Sequence, residues 1–141
     1  MHAADSIRAS VRAVRACNYE GPRIATFITA ADTDADAQRL FTSVQQMTLS
    51  RLRGTLLPFL PEPVADFDAL ANAEERQRTD AAARAAINGS AQSLETQLMA
   101  MLEKTGADEI MALSFIHDLN ARRRSLEIIA QARERVHARQ R

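Results

Sequence analysis

The sequence predicts an α/β, helix-rich fold with about two parallel strands and about four to six helices. Two short apolar runs, residues 23–30 and 109–116, carry the strand prediction because both are aliphatic and bounded by turn signals. Each run leads directly into a long amphipathic pattern, which is the order of a βα unit in a parallel sheet. The rest of the chain is either helical in pattern or interrupted by glycine and proline.

The composition fits one globular domain. The chain has 141 residues, and its aromatic content of 4% leaves the core to Ala, Leu, Ile, Val and Met. No apolar stretch approaches the roughly 18 residues that span a bilayer, and the N-terminus lacks the apolar segment of a secretory signal. Cys17 is alone, so no internal disulfide can form. These features predict a cytoplasmic protein with no membrane partner.

The first part of the chain is predicted to run from a helix through a strand into a second helix. Residues 1–20 hold a divergent N-terminal helix, with apolar positions at helical spacing over residues 4–16, and a Gly-Pro turn ends it. After the strand at 23–30, Thr33 followed by Asp36 is typical of a helix N-cap. This second helix is expected to end near Arg53.

Three aspartates, Asp32, Asp34 and Asp36, stand close together as they do in a calcium loop. An EF-hand also requires Gly at the sixth position and Glu at the twelfth. Counted from Asp32, these positions hold Ala37 and Ser43. We therefore predict no metal site here. The histidines and the single cysteine are too scattered for a metal cluster or a nucleophile–base pair.

The Pro-rich segment at residues 54–65 interrupts the pattern, because three prolines in six residues exclude a helix or a central strand. Its leucines favour a loop that crosses the protein's own surface over a recognition ligand for another protein. Helices are predicted to follow at 66–71 and 73–87, with Asn72 as the cap between them.

The next helix, over residues 91–105, is predicted to begin at Ser90 and to end at Gly106. A Gly-Ser turn before a helix can also hold a phosphate, although capping is its more frequent use. The strand at 109–116 and a helix at about 119–138 then complete the chain. In this last helix the apolar residues mark the expected buried face: Leu119, Leu126, Ile129 and Val136.

The C-terminal residues 119–141 are basic, with seven arginines and two glutamates. They have no aromatic partners for base stacking, and positive charge near a helix C-terminus complements the helix dipole. We therefore predict no nucleic-acid partner.

Three segments of the chain resemble the C-terminal part of the bacterial-luciferase-like flavin-dependent monooxygenases. They are ITAADTDADAQRLFTSVQQ (28–46), NGSAQSLETQLMAMLEKTGADEIMALSFIHD (88–118) and ARRRSLEIIAQA (121–132). The resemblance covers roughly residues 23–135 and departs from the family at Ala91 and Gln92, where Pro-Glu is usual.

The resemblance implies a partial TIM (β/α)8-type barrel, because a whole barrel needs about 250 residues. Residues 1–141 are then a single domain or the C-terminal part of such a barrel, truncated and without most of the flavin site. It also implies FMN or reduced flavin, molecular oxygen and a small organic substrate. Three residues at the carboxyl end of the last strand are expected to face the pocket: Ser114, Ile116 and His117. No catalytic residue and no firm cofactor ligand is predicted.

The alternative prediction is a non-catalytic structural or interaction domain derived from the same fold. Two parallel strands cannot close a barrel, and each leaves unpaired N–H and C=O groups at an apolar edge. Such edges favour self-association or association with the missing barrel portion.

Overall fold

The computed structural model describes residues 21–139, so the N-terminal helix predicted over residues 4–16 lies outside the described residues. The helix-rich α/β class is confirmed, with four helices and three strands in the described part. In chain order the elements are β1 (Arg23–Ala30), α1 (Asp34–Leu52), α2 (Ala73–Ala82), β2 (Ile87–Gly89), α3 (Ala91–Thr105), β3 (Glu109–Leu113) and α4 (Leu119–Arg139).

The three strands form one parallel sheet in the order β2-β1-β3. The two strands expected from the sequence, β1 and β3, are direct neighbours, with Arg23 opposite Glu109 and Phe27 opposite Leu113. The short β2 pairs with the carboxyl half of β1 on its other edge, where Ala30 lies opposite Gly89. Both pairings are parallel and are joined by helical crossovers, but β3 lies beside β1 and not beside β2, the strand that precedes it in the chain.

Three predicted boundaries are wrong. The helix predicted over 73–87 ends at Ala82, residues 83–86 lie in a turn, and only its last residue, Ile87, belongs to β2. The alanine-rich sequence favours a helix, but pairing with β1 decides the conformation of so short a segment. Residues 66–71 form turns rather than a helix, because the Asp66 carboxylate accepts a hydrogen bond from the Asp68 N–H.

The third wrong boundary is the end of β3, which stops at Leu113 instead of residue 116. Beyond this point a side chain of α4 takes the place of a pairing strand. The Ala30 N–H of β1 donates to Ser125 Oγ at 2.8 Å, in a buried contact. On the other edge of β1, the Ala31 N–H donates to the Gly89 carbonyl of β2.

The predicted helix ends at three positions are confirmed. Thr33 Oγ1 accepts from the Asp36 N–H at 3.1 Å and caps α1. Asn72 and Glu75 form a reciprocal capping box at the start of α2. Gly106 ends α3 with a φ of 61°, a conformation that glycine adopts without a steric penalty.

The main core lies on the face of the sheet that α3 and α4 cover. Ile28 and Ala30 of β1 point into it, and the buried partners come from β2 and the two helices: Ile87, Leu94, Leu98, Ile128, Ala132 and Val136. Two of the four residues expected on the buried face of α4 are confirmed, since Val136 lies in this core and Ile129 packs against it, and the other two are wrong. Leu119 is 63% exposed and Leu126 is 48% exposed, whereas Ser125 is fully buried.

The opposite face of β1 and β3 carries large apolar side chains that stay accessible. Because side chains alternate along a strand, Phe27 on β1 and Met111 and Leu113 on β3 share this face. Phe115 joins them, with its ring centroid 5.2 Å from that of Phe27. Met111 is 60% exposed and Phe115 is 37% exposed. We call these four residues the open sheet face.

None of the helices among residues 21–139 combines the length and the apolar character that a membrane span requires.

Candidate functional site

The carboxyl ends of the three strands lie at one edge of the sheet, which is where α/β proteins place ligands and catalytic groups. Two groups of residues occupy this edge. The α3 corner, where β1 and β2 feed into helices, consists of Asp34, Gly89, Ser90 and Ser93. The β3 corner follows the last strand and consists of residues 114–117.

The α3 corner is built around the Asp34 carboxylate. One oxygen, Oδ1, accepts from the Ser90 backbone N–H at 2.6 Å, and Oδ2 accepts from the Ser93 hydroxyl at 2.9 Å. These bonds, led by the one from the Ser90 N–H, lower the pKa of Asp34 from its ordinary value. The carboxylate therefore binds the N–H of the N-cap residue Ser90 and a side-chain hydroxyl of the first turn of α3, and it complements the positive end of the helix dipole.

Gly89 makes the close approach of these groups feasible. Its φ is 151°, a conformation that side-chain-bearing residues rarely adopt. An added Cβ would lie 2.7 Å from Ser93 Cβ and 2.9 Å from Asp34 Oδ1. The Gly-Ser turn thus does not leave an empty phosphate cradle, because the Asp34 carboxylate already lies against the start of α3.

Ser114 lies at the β3 corner directly after the last strand. Its Oγ is buried and has no hydrogen-bond partner among the described residues. A buried hydroxyl without a partner costs free energy unless a ligand or water completes it. The Ser114 hydroxyl is therefore a buried, unpartnered donor and acceptor at the edge where a ligand is expected.

Ile116 does not face an accessible pocket as the sequence suggested. It is fully buried in a small cluster with Ala31, Ala37 and Leu40. This cluster fixes the β3 corner against the start of α1, so the backbone on both sides of Ile116 has a defined position.

The imidazole of His117 contacts the Pro-rich segment at residues 54–65, which we call the crossing segment. Its Nδ1 lies 2.9 Å from the Leu60 carbonyl oxygen, and its Nε2 lies 3.8 Å from a Glu62 carboxylate oxygen. The side chain is about half exposed. His117 thus holds the crossing segment over the β3 corner, and its position facing a bound ligand stays a prediction.

The crossing segment is anchored at several points but leaves its apolar tip in solvent. Gln46 Nε2 donates to the Glu62 carbonyl at 2.8 Å, and the Val64 N–H donates to Thr42 Oγ1 at 2.9 Å. Between these anchors and the end of α1, Leu56 is 92% exposed and Phe59 is 83% exposed. Apolar side chains held out by a fixed backbone are suited to contact another surface or an apolar ligand.

The first turns of α4 connect to this edge through polar contacts. Asp118 Oδ1 accepts from the Ala121 N–H at 2.7 Å, which caps the helix. Arg124 lies 2.6 Å from Asp32, and this hydrogen bond lowers the pKa of that carboxyl. Part of the arginine cluster at the C-terminus therefore serves contacts within the chain.

Two residues of this edge were missed by sequence reasoning, namely Asp34 as the group at the start of α3 and Ser125 as the acceptor for β1. Their partners lie 56 and 95 residues away in the sequence. No local pattern signals either contact.

Other parts of the described chain carry fewer groups that could bind a ligand or act in a reaction. Within residues 21–139, no three His, Cys, Asp or Glu side chains come together as metal ligands. A cavity of about 520 Å³ lies between α3, α4 and the amino end of β3, away from the carboxyl edge. Its lining includes Leu98, Ile110, Ile129 and Val136.

Parts of known proteins are similar to this chain in sequence and fold. A luciferase-like monooxygenase of Escherichia coli K12 is 33% identical over 109 residues, which is 77% of this chain. The uncharacterized protein YvbT of Bacillus subtilis is 37% identical over 103 residues, or 73% of this chain. This chain is similar to part of a luciferase-like monooxygenase. The crystal structure of apo-MsnO8 matches 91% of the chain with a TM-score of 0.67 and 28% identity.

The similarity to luciferase-like monooxygenases is confined to a fraction of those proteins. The chain spans about a third of the length of the curated relatives it matches, 32% and 30%, and 41% of apo-MsnO8. This is the share expected for a C-terminal portion of a luciferase-like monooxygenase, as the sequence motifs indicated. No model of a known protein family matches the chain.

Proposed function

We propose that this chain contributes its three strands and the helices between them to the barrel of a flavin-dependent luciferase-like monooxygenase. In this proposal the β3 corner lines the pocket for reduced FMN and a small organic substrate. The similarity to a luciferase-like monooxygenase over 77% of the chain is the observation that carries it. The unpartnered Ser114 hydroxyl, located at the carboxyl edge of the sheet, supports the choice of corner.

The residues at the β3 corner fit the ring system of a flavin. Ser114 offers a hydroxyl at the carboxyl edge, and the Phe27–Phe115 pair offers an apolar surface on the open sheet face. The start of α3 does not fit the phosphate, because Asp34 already accepts the Ser90 N–H and would repel a second anion. The phosphate is therefore assigned to no residue of the α3 corner.

A reduced flavin, when bound, supplies the electrons with which one atom of dioxygen enters the substrate while the other leaves as water. The residues of this chain bind and position. Ser114 completes its hydrogen bonding with a polar group of the flavin or substrate. His117 keeps the crossing segment beside the corner through its contact with the Leu60 carbonyl oxygen.

The alternative function is a structural domain without catalysis. The open sheet face favours it, because accessible apolar surface on a sheet is suited to association. The two functions differ in flavin binding, which only the first requires.

An FMN titration tests the proposal, with flavin fluorescence and the thermal unfolding midpoint as readouts. We expect FMN to raise the unfolding midpoint of the wild-type chain and Ser114→Ala to weaken binding about tenfold, the effect of losing one buried hydrogen bond. Ser43→Ala is the matched control, because Ser43 Oγ on α1 is also buried without a partner. A wild-type chain that neither quenches FMN fluorescence nor gains thermal stability overturns the flavin assignment.

A further inference from the structure

The cavity between α3, α4 and the amino end of β3 has apolar walls and a polar mouth, and we call it the amino-end cavity. Its volume is about 520 Å³. Its walls are formed by aliphatic side chains from all three elements and from β1: Ile28, Leu98, Leu102, Ile110, Ile129 and Val136. Four exposed residues stand at its mouth: Asp108, Glu109, Arg133 and His137. Apolar surface that stays in contact with water forgoes about 25 cal/mol per Å², so an apolar occupant would stabilise the fold.

The described part of the chain starts at the mouth of this cavity. Gly21 lies against the Asp108 side chain, which an added Cβ would meet. The Asp108 N–H donates to the Pro22 carbonyl at 2.9 Å, which fixes the amino end of β1 beside the mouth. Residues 1–20 lie outside the described part, and they are joined to it at this point. The N-terminal segment is therefore tethered next to an apolar cavity.

The sequence of residues 4–16 predicts an amphipathic helix with one apolar side. Ile7, Val11 and Val14 follow one another at i, i+4 and i+7, so they share that side over about 11 Å of helix. Ala9 falls on the opposite side. Isolated helices shorter than about 12–15 residues are marginal in water, and packing of the apolar side is what stabilises them. This segment thus requires an apolar surface.

We propose that the amino-end cavity receives Ile7, Val11 and Val14 of the chain's own N-terminal segment. Residues 15–20 join Val14 to Gly21, and an extended chain of that length reaches about 20 Å. This reach is sufficient to lay the apolar side of residues 4–16 over the mouth. The segment then completes the layer that α3 and α4 begin on this face of the sheet.

The charges of the segment and of the mouth agree with this placement. The apolar side has one basic flank and one uncharged flank, with Arg8, Arg12 and Arg15 against Ser6, Ser10 and Ala13. The mouth is divided in the same way, with Asp108 and Glu109 on the β3 side and Arg133 and His137 on α4. The basic flank lies beside the acidic side of the mouth, and the uncharged flank lies beside its cations.

A second copy of the chain is a weaker occupant than the tethered segment. A short flexible tether gives an effective concentration of about a millimolar, which a separate molecule does not reach at the protein concentrations of an ordinary assay. A stable interface between two copies also buries about 800 Å² on each partner, which is more than the mouth of one cavity offers.

Two aspartate substitutions in the full chain test this inference. Val11→Asp places a charge on the apolar side of the segment, and Ala9→Asp is the matched control with the same charge on the opposite side. We expect Val11→Asp to lower the urea midpoint and to speed amide hydrogen exchange over residues 98–110 roughly tenfold, because a charge does not enter an apolar cavity unpaired. Ala9→Asp should match the wild type in both measurements.

Disulfide trapping locates the segment independently of stability. Cys17 is the single cysteine of the chain, so Cys17→Ser gives a cysteine-free background. Val11→Cys is then paired with Leu102→Cys or Ile129→Cys, one on each wall of the cavity. We expect an intramolecular disulfide in at least one pair, formed about tenfold faster than with Ala9→Cys, because the two Cα atoms must come within about 7 Å. Circular dichroism shows whether each variant is folded, and the aspartate pair decides the question if the cysteine variants unfold.

Three results overturn the inference. The first is equal exchange over residues 98–110 in Val11→Asp and Ala9→Asp. The second is a disulfide rate that is the same for Val11→Cys and Ala9→Cys. The third is a disulfide that links two chains, because the occupant is then a second copy. None of these readouts uses flavin, so a failure here is distinct from a failure of FMN to bind.

Discussion

The α3 corner and the β3 corner lie at the same edge of the sheet, but their polar groups are satisfied differently. At the α3 corner the Asp34 carboxylate accepts from Ser90 and Ser93. At the β3 corner the Ser114 hydroxyl is buried with no partner in the described chain. The corner with the recognisable Gly-Ser motif is thus completed by the chain itself, and the corner without a motif keeps an available group.

This difference shows that a helix N-terminus can be assigned to a ligand or to a cap only when the side chains packed against it are known. The Gly-Ser turn before α3 is compatible with a phosphate site or with a cap. A carboxylate 56 residues earlier in the chain disfavours the phosphate, because Asp34 already accepts the Ser90 N–H and would repel a second anion. The function is therefore expected at the corner where a hydrogen bond is missing.

The largest expected effect is a loss of stability in Gly89→Ala, because the substitution disrupts the packing of the α3 corner. The new Cβ would clash with Ser93 and Asp34, and the residue would have to keep a φ of 151°. We expect a loss of about 3 kcal/mol in the free energy of unfolding, measured by urea denaturation. Gly54→Ala is the control, since it has a φ of 69° but nothing within 4 Å, and should cost about 1 kcal/mol. Equal costs for both variants would contradict the close packing at Gly89.

The next effect contrasts two buried serines. Ser125→Ala removes the acceptor of the buried Ala30 N–H and should cost about 2 kcal/mol of unfolding free energy. Ser114→Ala removes a hydroxyl that has no partner, so stability should stay the same or rise by up to about 1 kcal/mol. Urea denaturation of both variants checks this, and a large loss in Ser114→Ala would reveal a partner within the chain.

The Asp34 carboxylate predicts a pH dependence of stability. Its pKa is lowered in the folded chain, so its contribution is complete above the ordinary value of 3.8 and is lost as the pH falls through the folded pKa. Asp34→Asn should therefore show a shallower fall in stability below that value, in urea denaturation at a series of pH values. Asp80→Asn, at an exposed position of α2, is the control and should follow the wild type. Superimposable curves for Asp34→Asn and wild type would exclude this role.

A smaller effect is expected where His117 holds the crossing segment. His117→Ala removes the contact with Leu60, while the anchors from Gln46 and Thr42 remain. Chymotrypsin should cleave after the exposed Phe59 a few times faster in this variant. His137→Ala, at the exposed end of α4, should leave the cleavage rate unchanged. An unchanged rate in His117→Ala would mean that the other anchors suffice.

The local parts of the fold could be predicted from the sequence. The capping residues Thr33, Asn72 and Gly106 lie within three or four residues of the groups they bond, so their spacing is visible in the chain. The apolar runs of β1 and β3 also follow from composition alone, because parallel strands need apolar side chains on both faces.

The long-range contacts could not be predicted. The strand β2 has three residues and exists through its pairing with β1, against the helical preference of the preceding alanines. The end of β3 depends on Ser125, a residue of α4 that local reasoning treats as an ordinary helix position. The carboxylate at the start of α3 depends on Asp34, which at sequence level is one of three similar aspartates. Each of these features depends on a contact between residues that are far apart in the sequence, and local patterns do not show which of several similar residues makes it.

The measurement that tests the central claim most directly compares the FMN affinities of Ser114→Ala and Ser93→Ala. Both variants remove one serine hydroxyl from the carboxyl edge of the sheet, one at each corner. We predict that Ser114→Ala weakens FMN binding about tenfold and that Ser93→Ala leaves the affinity unchanged, since its hydroxyl serves Asp34. The reverse order of effects would contradict the assignment of the ligand pocket to the β3 corner.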